Sequence, residues 1–417
     1  MKKILALAAV LAFTASSAFA SESHLKKFKF FGEGSFYGYT YENTFAYPKY
    51  NFSGTGMYAV TGFHYGINEN VSATFSLGYT DVWGDGLEGM TASDFFDVLR
   101  IVEANVTFKN LFDVEGLKLK VGRQYYGDED SSVMYFGIRR NQPLRMLAGA
   151  GAYGAGTVGS ISSVDGASAY YKKGNIKANI MYGIVANGGP NGNDTVMGGD
   201  FKYLNIADMF DAQAYLYSWD NLFYGQRKYT IFGLKPTFKK AGLKASLEFA
   251  KNFGGAEVFS NTADNTNLVK ADVAYKIEKI GLTPRVMYGV FGGEFKGFYA
   301  FGNTNLGLIG GQTIISHPTA AAYFDNRIVN VGADYIKNKF TFSFDIFDFG
   351  SRDGKDNKDA VKYGTEFDLV VKYAYDANTD FYAGIGHMFG GKAAEAINDN
   401  AAFDSSTFQA GVTYKFK

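Results

Sequence analysis

Apolar side chains recur at every second position along most of this chain, and no run of them approaches the twenty residues a membrane-spanning helix needs. At the C-terminus Phe408, Ala410, Val412, Tyr414 and Phe416 alternate with Thr407, Gln409, Gly411, Thr413 and Lys415. Val269, Ala271, Val273, Tyr275 and Ile277 alternate in the same way with Lys270, Asp272, Lys276 and Glu278. A strict period of two puts every apolar group on one face of a β-strand. A half-buried soluble sheet alternates too, so quantity decides. About eighteen such segments follow one another, each of roughly ten residues, the length a tilted strand needs to cross a bilayer. Between them nothing reads as an amphipathic helix able to cover a sheet face.

The connections alternate as well. Asn68-Glu69-Asn70, Gly174-Asn175, Ala207-Asp208, Ala241-Gly242, Lys279-Ile280-Gly281, Asn338 and Asp376-Ala377-Asn378 are short turns, and 110–116 is slightly longer. Between them fall longer polar or glycine-rich stretches at 42–50, 84–97, 126–164, 187–195, 220–226, 254–266, 292–325, 350–360 and 391–404. Short turns on one side and long loops on the other are the asymmetry of an outer-membrane barrel. The expected fold is therefore all-β: a transmembrane antiparallel up-and-down β-barrel of about 18 strands, with 16 as the alternative. An even count lets a first strand near 27–41 pair with a last one near 405–416 and remove both edges. Met1-Lys2-Lys3, an apolar run from Ile4 to Phe13 and Ala18-Phe19-Ala20 read as a secretory signal peptide over 1–20, leaving 21–417 as one barrel. The absence of cysteine suits passage through an oxidising periplasm and removes any thiol nucleophile or Cys-based zinc site. With 41 basic and 41 acidic side chains there is no net charge to hold nucleic acid.

Parity also assigns an inward face. Lys118, Lys120, Arg285 and Lys362 fall on it, with Glu248, Asp345, Glu366 and Asp368. So many ionised groups cannot fill a dry core, because each buried charge needs a partner or water. They imply a water-filled lumen, which a barrel of this size is wide enough to hold. Three cations break the rule. Arg100 and Lys251 share the apolar parity near loops, where snorkelling is cheap. Arg123 shares the parity of Leu117, Leu119 and Val121, where a lipid-facing Arg at mid-depth costs roughly 2–4 kcal/mol. Either a bulge at Gly122 turns Arg123 inward, or the strand has left the bilayer there. Tyr79, Tyr125, Tyr217, Trp219 and Tyr335, near strand ends, read as interfacial girdles. Inward Tyr215 and Tyr217 offer a carbohydrate path as an alternative.

The connection 126–164 is the longest. It carries Asp128, Glu129 and Asp130, then Arg139, Arg140 and Arg145, and ends in a Gly-Ala run. Long unstructured loops are usually functional or disordered. The functional expectation is a loop bent into the lumen, its acids and arginines setting a transverse field; the plain one is an external loop with solvated charges.

Within this plan, Glu103-Ala104-Asn105-Val106-Thr107-Phe108-Lys109-Asn110-Leu111-Phe112, then Leu117-Lys118-Leu119-Lys120-Val121-Gly122-Arg123-Gln124 and Tyr126-Gly127-Asp128, resembles the alginate-export type of Gram-negative outer-membrane porin. The resemblance implies a monomeric eighteen-stranded barrel exporting an anionic polysaccharide through an arginine-rich lumen, with Arg123 lining the pore. Two features depart from it: the inward face carries nearly as many acids as bases, and the terminal aromatic, Phe416, is followed by Lys417.

Other chemistry is weakly signalled. Gly149, Gly151 and Gly154 match a dinucleotide fingerprint by letters, but follow no buried strand and open no helix. His24, His64, His317 and His387 lack metal-ligand spacing, and Asp353, Asp356, Asn357 and Asp359 depart from a calcium loop. No Ser/His/Asp grouping stands out, so no enzyme and no cofactor is expected. The main expectation is passive diffusion of small hydrophilic solutes and ions. The alternatives are a dedicated channel for an anionic polysaccharide or organic acids, and a barrel that conducts nothing. The partners implied are the bilayer and lipopolysaccharide of the outer membrane and the barrel-assembly machinery, with the chain a monomer or a homotrimer.

Overall fold

Most of the alternating segments become strand. The computed structural model describes residues 27–42, 52–83, 98–128, 131–138, 161–189, 192–221, 227–253, 257–258, 261–262, 267–291, 308, 326–351, 362–392 and 404–416. The wall strands are β1 (Phe28–Glu42), β2 (Phe52–Gly66), β3 (Val71–Trp83), β4 (Val98–Lys109), β5 (Leu117–Gln124) and β6 (Val164–Lys173). Next come β7 (Ile176–Gly189), β8 (Gly192–Ile206), β9 (Phe210–Asn221), β10 (Arg227–Lys240), β11 (Leu243–Phe253) and β12 (Asn267–Tyr275). The last six are β13 (Leu282–Phe291), β14 (Asn326–Lys337), β15 (Phe340–Ser351), β16 (Lys362–Ala374), β17 (Thr379–Gly390) and β18 (Asp404–Phe416). All belong to one 18-stranded sheet. Each strand pairs antiparallel with its chain neighbours, and β1 also pairs with β18, from Gly32 opposite Phe416 to Glu42 opposite Ser406. The sheet is closed, so no strand edge is left to template another chain.

The short turns fall at one end and carry their own chemistry. Asn68 Oδ1 accepts the N–H groups of Asn70 and Val71 at 2.9 and 2.8 Å. Asp376 Oδ1 does the same for Asn378 and Thr379, both at 2.7 Å, a side chain standing in for a turn carbonyl. Gly116, at φ +80°, lies so close to the Lys172 carbonyl that a Cβ would collide with it. The expected loop at 187–195 is instead strand up to Gly189 and again from Gly192, so that hairpin is tight. Two short ribbons stand off the wall: Tyr126–Gly127 with Tyr135–Phe136, and Glu257–Val258 with Asn261–Thr262.

The outward face is apolar and open, as Phe36, Ile180, Leu216, Leu247, Val331 and Ile385 show. Towards the turns it becomes an aromatic belt, with Phe28 against Tyr65 at 4.6 Å, Phe210 against Phe238 at 5.1 Å and Phe340 against Tyr373 at 4.7 Å, the composition of a membrane interface. Tyr79 and Tyr335 share the outward parity.

Parity changes at two bulges. On β4 the register against β3 jumps from Ser76–Glu103 to Leu77–Ile101, leaving Val102 extra. Beyond it Ile101 and Leu99 face out, and Arg100, opposite the inward Gly78, faces in rather than snorkelling into lipid. On β16 the register against β15 jumps from Phe349–Gly364 to Gly350–Lys362. The extra residue, Tyr363, is buried and Lys362 is turned outward, against its expected inward parity. Gly122 makes no bulge. Pairing of β5 is uninterrupted from Lys118 to Arg123 against β4 and through Gln124 against β6.

Candidate functional site

The residues after β5 do not leave the barrel. Ser131 Oγ accepts the N–H groups of Val133 and Met134 at 3.2 and 3.0 Å and closes a tight turn. Val133, Met134 and Phe136, each at most 1% exposed, join an apolar cluster with Met181 and Val185 of β7, Val196 of β8, Tyr215, Tyr217 and Trp219 of β9 and Ile231 of β10. The return limb brings Ile138, bridged to Ile161, against Tyr58 and Val60 of β2 and Val102 of β4. Segment 125–138 therefore touches the inner wall on both sides of its point of departure. Tyr217 and Trp219 sit in this interior cluster and Tyr125 packs inside as well, so these three are not girdle residues. A strand end signals depth in the membrane but not which face a ring occupies.

Polar contacts fasten the segment. Ser132 Oγ donates to Glu248 Oε2 at 2.8 Å, and Tyr215 Oη donates to Glu248 Oε1 at 2.8 Å. Lys235 Nζ lies 3.9 Å from the same carboxylate. A carboxylate only 2% exposed is costly unless its oxygens are matched, and here Ser132 supplies part of the match. Asp128 forms an ion pair with Lys202 of β8. The Tyr126 and Tyr217 hydroxyls lie 3.4 Å apart, and Tyr217 reaches Asp200, which also accepts from Asn179 at 3.1 Å.

Two cavities along the inner wall hold about 600 Å³ each. One lies between the segment and β4–β7, lined by Lys109, Lys118, Lys120, Asp128, Tyr126 and Tyr170 among others. Lys118 stands 5.7 Å from the Tyr170 ring centroid, and none of the three lysines is ion-paired with a described carboxylate. The other runs along β8–β15, where Arg285 bridges Asp334 and Asp345 at 2.5 Å each. Asn330 adds a 2.9 Å hydrogen bond to Asp345. On β16, Glu366 is fully buried, and Asp368, opposite Asp345, accepts the Leu308 N–H at 2.9 Å. The basic side chains of β4 and β5 and the carboxylates of β15 and β16 thus lie on separate stretches of the wall.

Of the residues singled out from sequence, Lys118, Lys120, Asp128, Arg285, Asp345 and Glu366 line this interior. Glu129, Asp130, Arg139, Arg140 and Arg145 lie outside the described residues. Arg123 stays on the outward parity, between Ala104 and Asp165. Its Nε and Nη2 donate to the two Asp165 oxygens at 2.6 Å each, and Nη1 to the Ile101 carbonyl at 3.0 Å. Neither the bulge at Gly122 nor a pore-lining Arg123 is found. An outward carboxylate one strand away neutralises the guanidinium instead. Sequence reasoning missed Ser132 and Tyr126 as anchors and Arg100 as an inward base. Among the described residues no His, Asp and Glu group is arranged to hold a metal ion.

No family model matches the chain, and no curated protein matches it significantly in sequence. Solved structures do match in fold. OpdO of Pseudomonas aeruginosa is similar with a TM-score of 0.61 at 12% identity, over 94% of this chain and 97% of that one. The outer membrane protein OprD of the same organism gives 0.57 at 12%, over 94% and 93%. OccK2 (OpdF) of that organism, in complex with glucuronate, gives 0.57 at 10%, over 94% and 99%. These neighbours give no support to the alginate-export resemblance of 103–128, of which 103–124 folds as the hairpin of β4 and β5 and 126–128 belongs to the inturned segment. Apolar-polar alternation around a short turn is shared by barrels of many kinds. The likeness is one of fold: a closed antiparallel transmembrane barrel of the shape these bacterial outer-membrane proteins take.

Proposed function

We propose that this chain is an outer-membrane channel through which small hydrophilic solutes and ions diffuse down their gradients. Residues 1–20 serve as its export signal. The observation that carries the reading is the inturned segment fastened to Glu248, with one charged cavity between it and the wall and a second along the facing wall. A structural barrel has no need of a lumen lined with Lys118, Lys120, Arg285 and Asp345. A facing field of lysines and carboxylates orders dipolar solutes and penalises apolar ones. The ammonium groups of Lys109, Lys118 and Lys120, unpaired with any described carboxylate, favour capture of small organic acids, and glucuronate, the ligand held by the similarly folded OccK2, is a suitable probe.

Swelling of proteoliposomes tests this directly. Vesicles carrying the barrel are expected to swell in a pentose and in glucuronate, and not in a polyuronate too large for the lumen. Absence of swelling in both small solutes would overturn the reading.

A further inference from the structure

Among the described residues two ion-paired groups face outward near the loop ends of the barrel, and they differ in how far their cations are satisfied. In the first, Arg123 spends Nε, Nη1 and Nη2 on Asp165 and the Ile101 carbonyl, one cation matched by one carboxylate. In the second, two cations share one carboxylate. Asp348 of β15 lies opposite Val329 and Thr365 on the outward face, between the inward Phe347 and Phe349. Arg327 of β14 reaches Asp348 Oδ2 at 2.9 Å, and Lys362 of β16 reaches Oδ1 at 3.4 Å. The β16 bulge at Tyr363 is what turns Lys362 to this face. Thr365 also donates to Asp348, at 3.3 Å. Arg327 Nε is buried without a hydrogen-bond partner, and the Lys362 side chain is more than half exposed.

We propose that Arg327 and Lys362 form a binding site for the phosphate of an outer-leaflet glycolipid on the outside of the barrel. Charge complementarity selects this occupant. Among the described residues Asp348 neutralises one cation and leaves a surplus positive charge, while a phosphate brings acceptor oxygens of the kind that Arg and Lys hold. Depth agrees, because Arg327 is the second residue of β14 and Lys362 the first of β16, on the side of the long loops, the outer-leaflet side of such a barrel. Below the site the wall presents Val331, Phe344, Phe367 and Leu369, all exposed on the outward face, where acyl chains of the same molecule would lie. The inference rests on the outer-membrane reading and adds to it a lipid contact at a stated place.

The test is binding of purified lipopolysaccharide to the full-length barrel in detergent, followed by native mass spectrometry, with dephosphorylated lipopolysaccharide and inorganic phosphate as separate arms. Three proteins are compared: wild type, Arg327→Gln/Lys362→Gln and Arg123→Gln. Loss of two contacts to a phosphate is expected to weaken lipopolysaccharide binding by roughly tenfold or more in the double variant. Arg123→Gln is expected to bind like wild type, and inorganic phosphate is expected not to compete at matched concentration. Equal binding by the double variant, equal binding of the dephosphorylated glycolipid, or an equal loss in Arg123→Gln would overturn the proposal. Single-channel current from the same preparations reports folding and conduction. A double variant that conducts normally but has lost the glycolipid separates this claim from the channel reading.

Discussion

Ser132 Oγ donates a 2.8 Å hydrogen bond to Oε2 of Glu248, 116 positions further along the chain. Through it the segment leaving β5 is held on β11, well round the wall, and a connection read as a loop becomes part of the lumen. A hydrogen bond to a charged group is worth about 1.5–3 kcal/mol. Ser132→Ala is therefore expected to raise the detached population of the segment roughly tenfold or more. Single-channel records should show added flicker, with full-length openings unchanged in number of barrels inserted. Records as quiet as wild type would remove Ser132 from the latch.

Lys118 and Lys120 line a cavity without a described carboxylate partner. An exposed unit charge is worth about 1 kcal/mol at contact distance in water. Lys118→Gln/Lys120→Gln is expected to raise the cation-to-chloride permeability ratio by roughly two- to fivefold. The check is the reversal potential across a planar bilayer under a potassium chloride gradient. A potential that stays put would mean that ions pass elsewhere.

Arg123 and Asp165 make a bidentate pair on the outward face, both side chains less than a third exposed. Asp165→Ala strands the guanidinium toward lipid near the loop end of the barrel and is expected to cost up to about 1 kcal/mol. Arg123→Leu/Asp165→Leu removes both charges and is expected to be neutral or stabilising. Urea unfolding in lipid vesicles measures both. A double variant as unstable as the single would show that the pair does more than neutralise itself.

The contrast between wall and lumen shows what a sequence carries. Strand identity at Phe408–Phe416 or Phe340–Ile346 is local, because alternation over a few residues already decides it, and about eighteen strands and most of their turns are readable on that ground. Inside and outside are less local. One extra residue at Val102 or Tyr363 inverts every parity beyond it, and only the neighbouring strand reveals the insertion. This is why parity alone gives Arg100 and Lys362 the wrong faces, and why the irregularity expected at Gly122 lies one strand away. The anchors are the least local of all. Ser131, Ser132 and Val133 look like ordinary loop residues, and their meaning comes from Tyr215, Glu248 and Met181, which the chain reaches much later.

The turn at 375–378 carries a pH dependence. Asp376 is held below the usual carboxylate range, first by the Asn378 N–H and further by Thr379. A carboxylate whose acidity is strengthened by folding stabilises the folded state above its unfolded pKa, and this contribution is lost as pH falls through the folded value. The stability gap between wild type and Asp376→Ala, measured by urea unfolding, is expected to be present at neutral pH and to close in acid below the ordinary carboxylate range. A gap that persists unchanged in acid would place the effect of Asp376 elsewhere than in its charge.

The wet interior is probed most directly by current through one reconstituted barrel bathed in neutral polymers of graded size. Small polymers are expected to enter and lower the conductance, and polymers above a sharp size limit to leave it untouched. Correctly folded barrels that pass no current at all, with or without polymer, would contradict an aqueous path past the inturned segment.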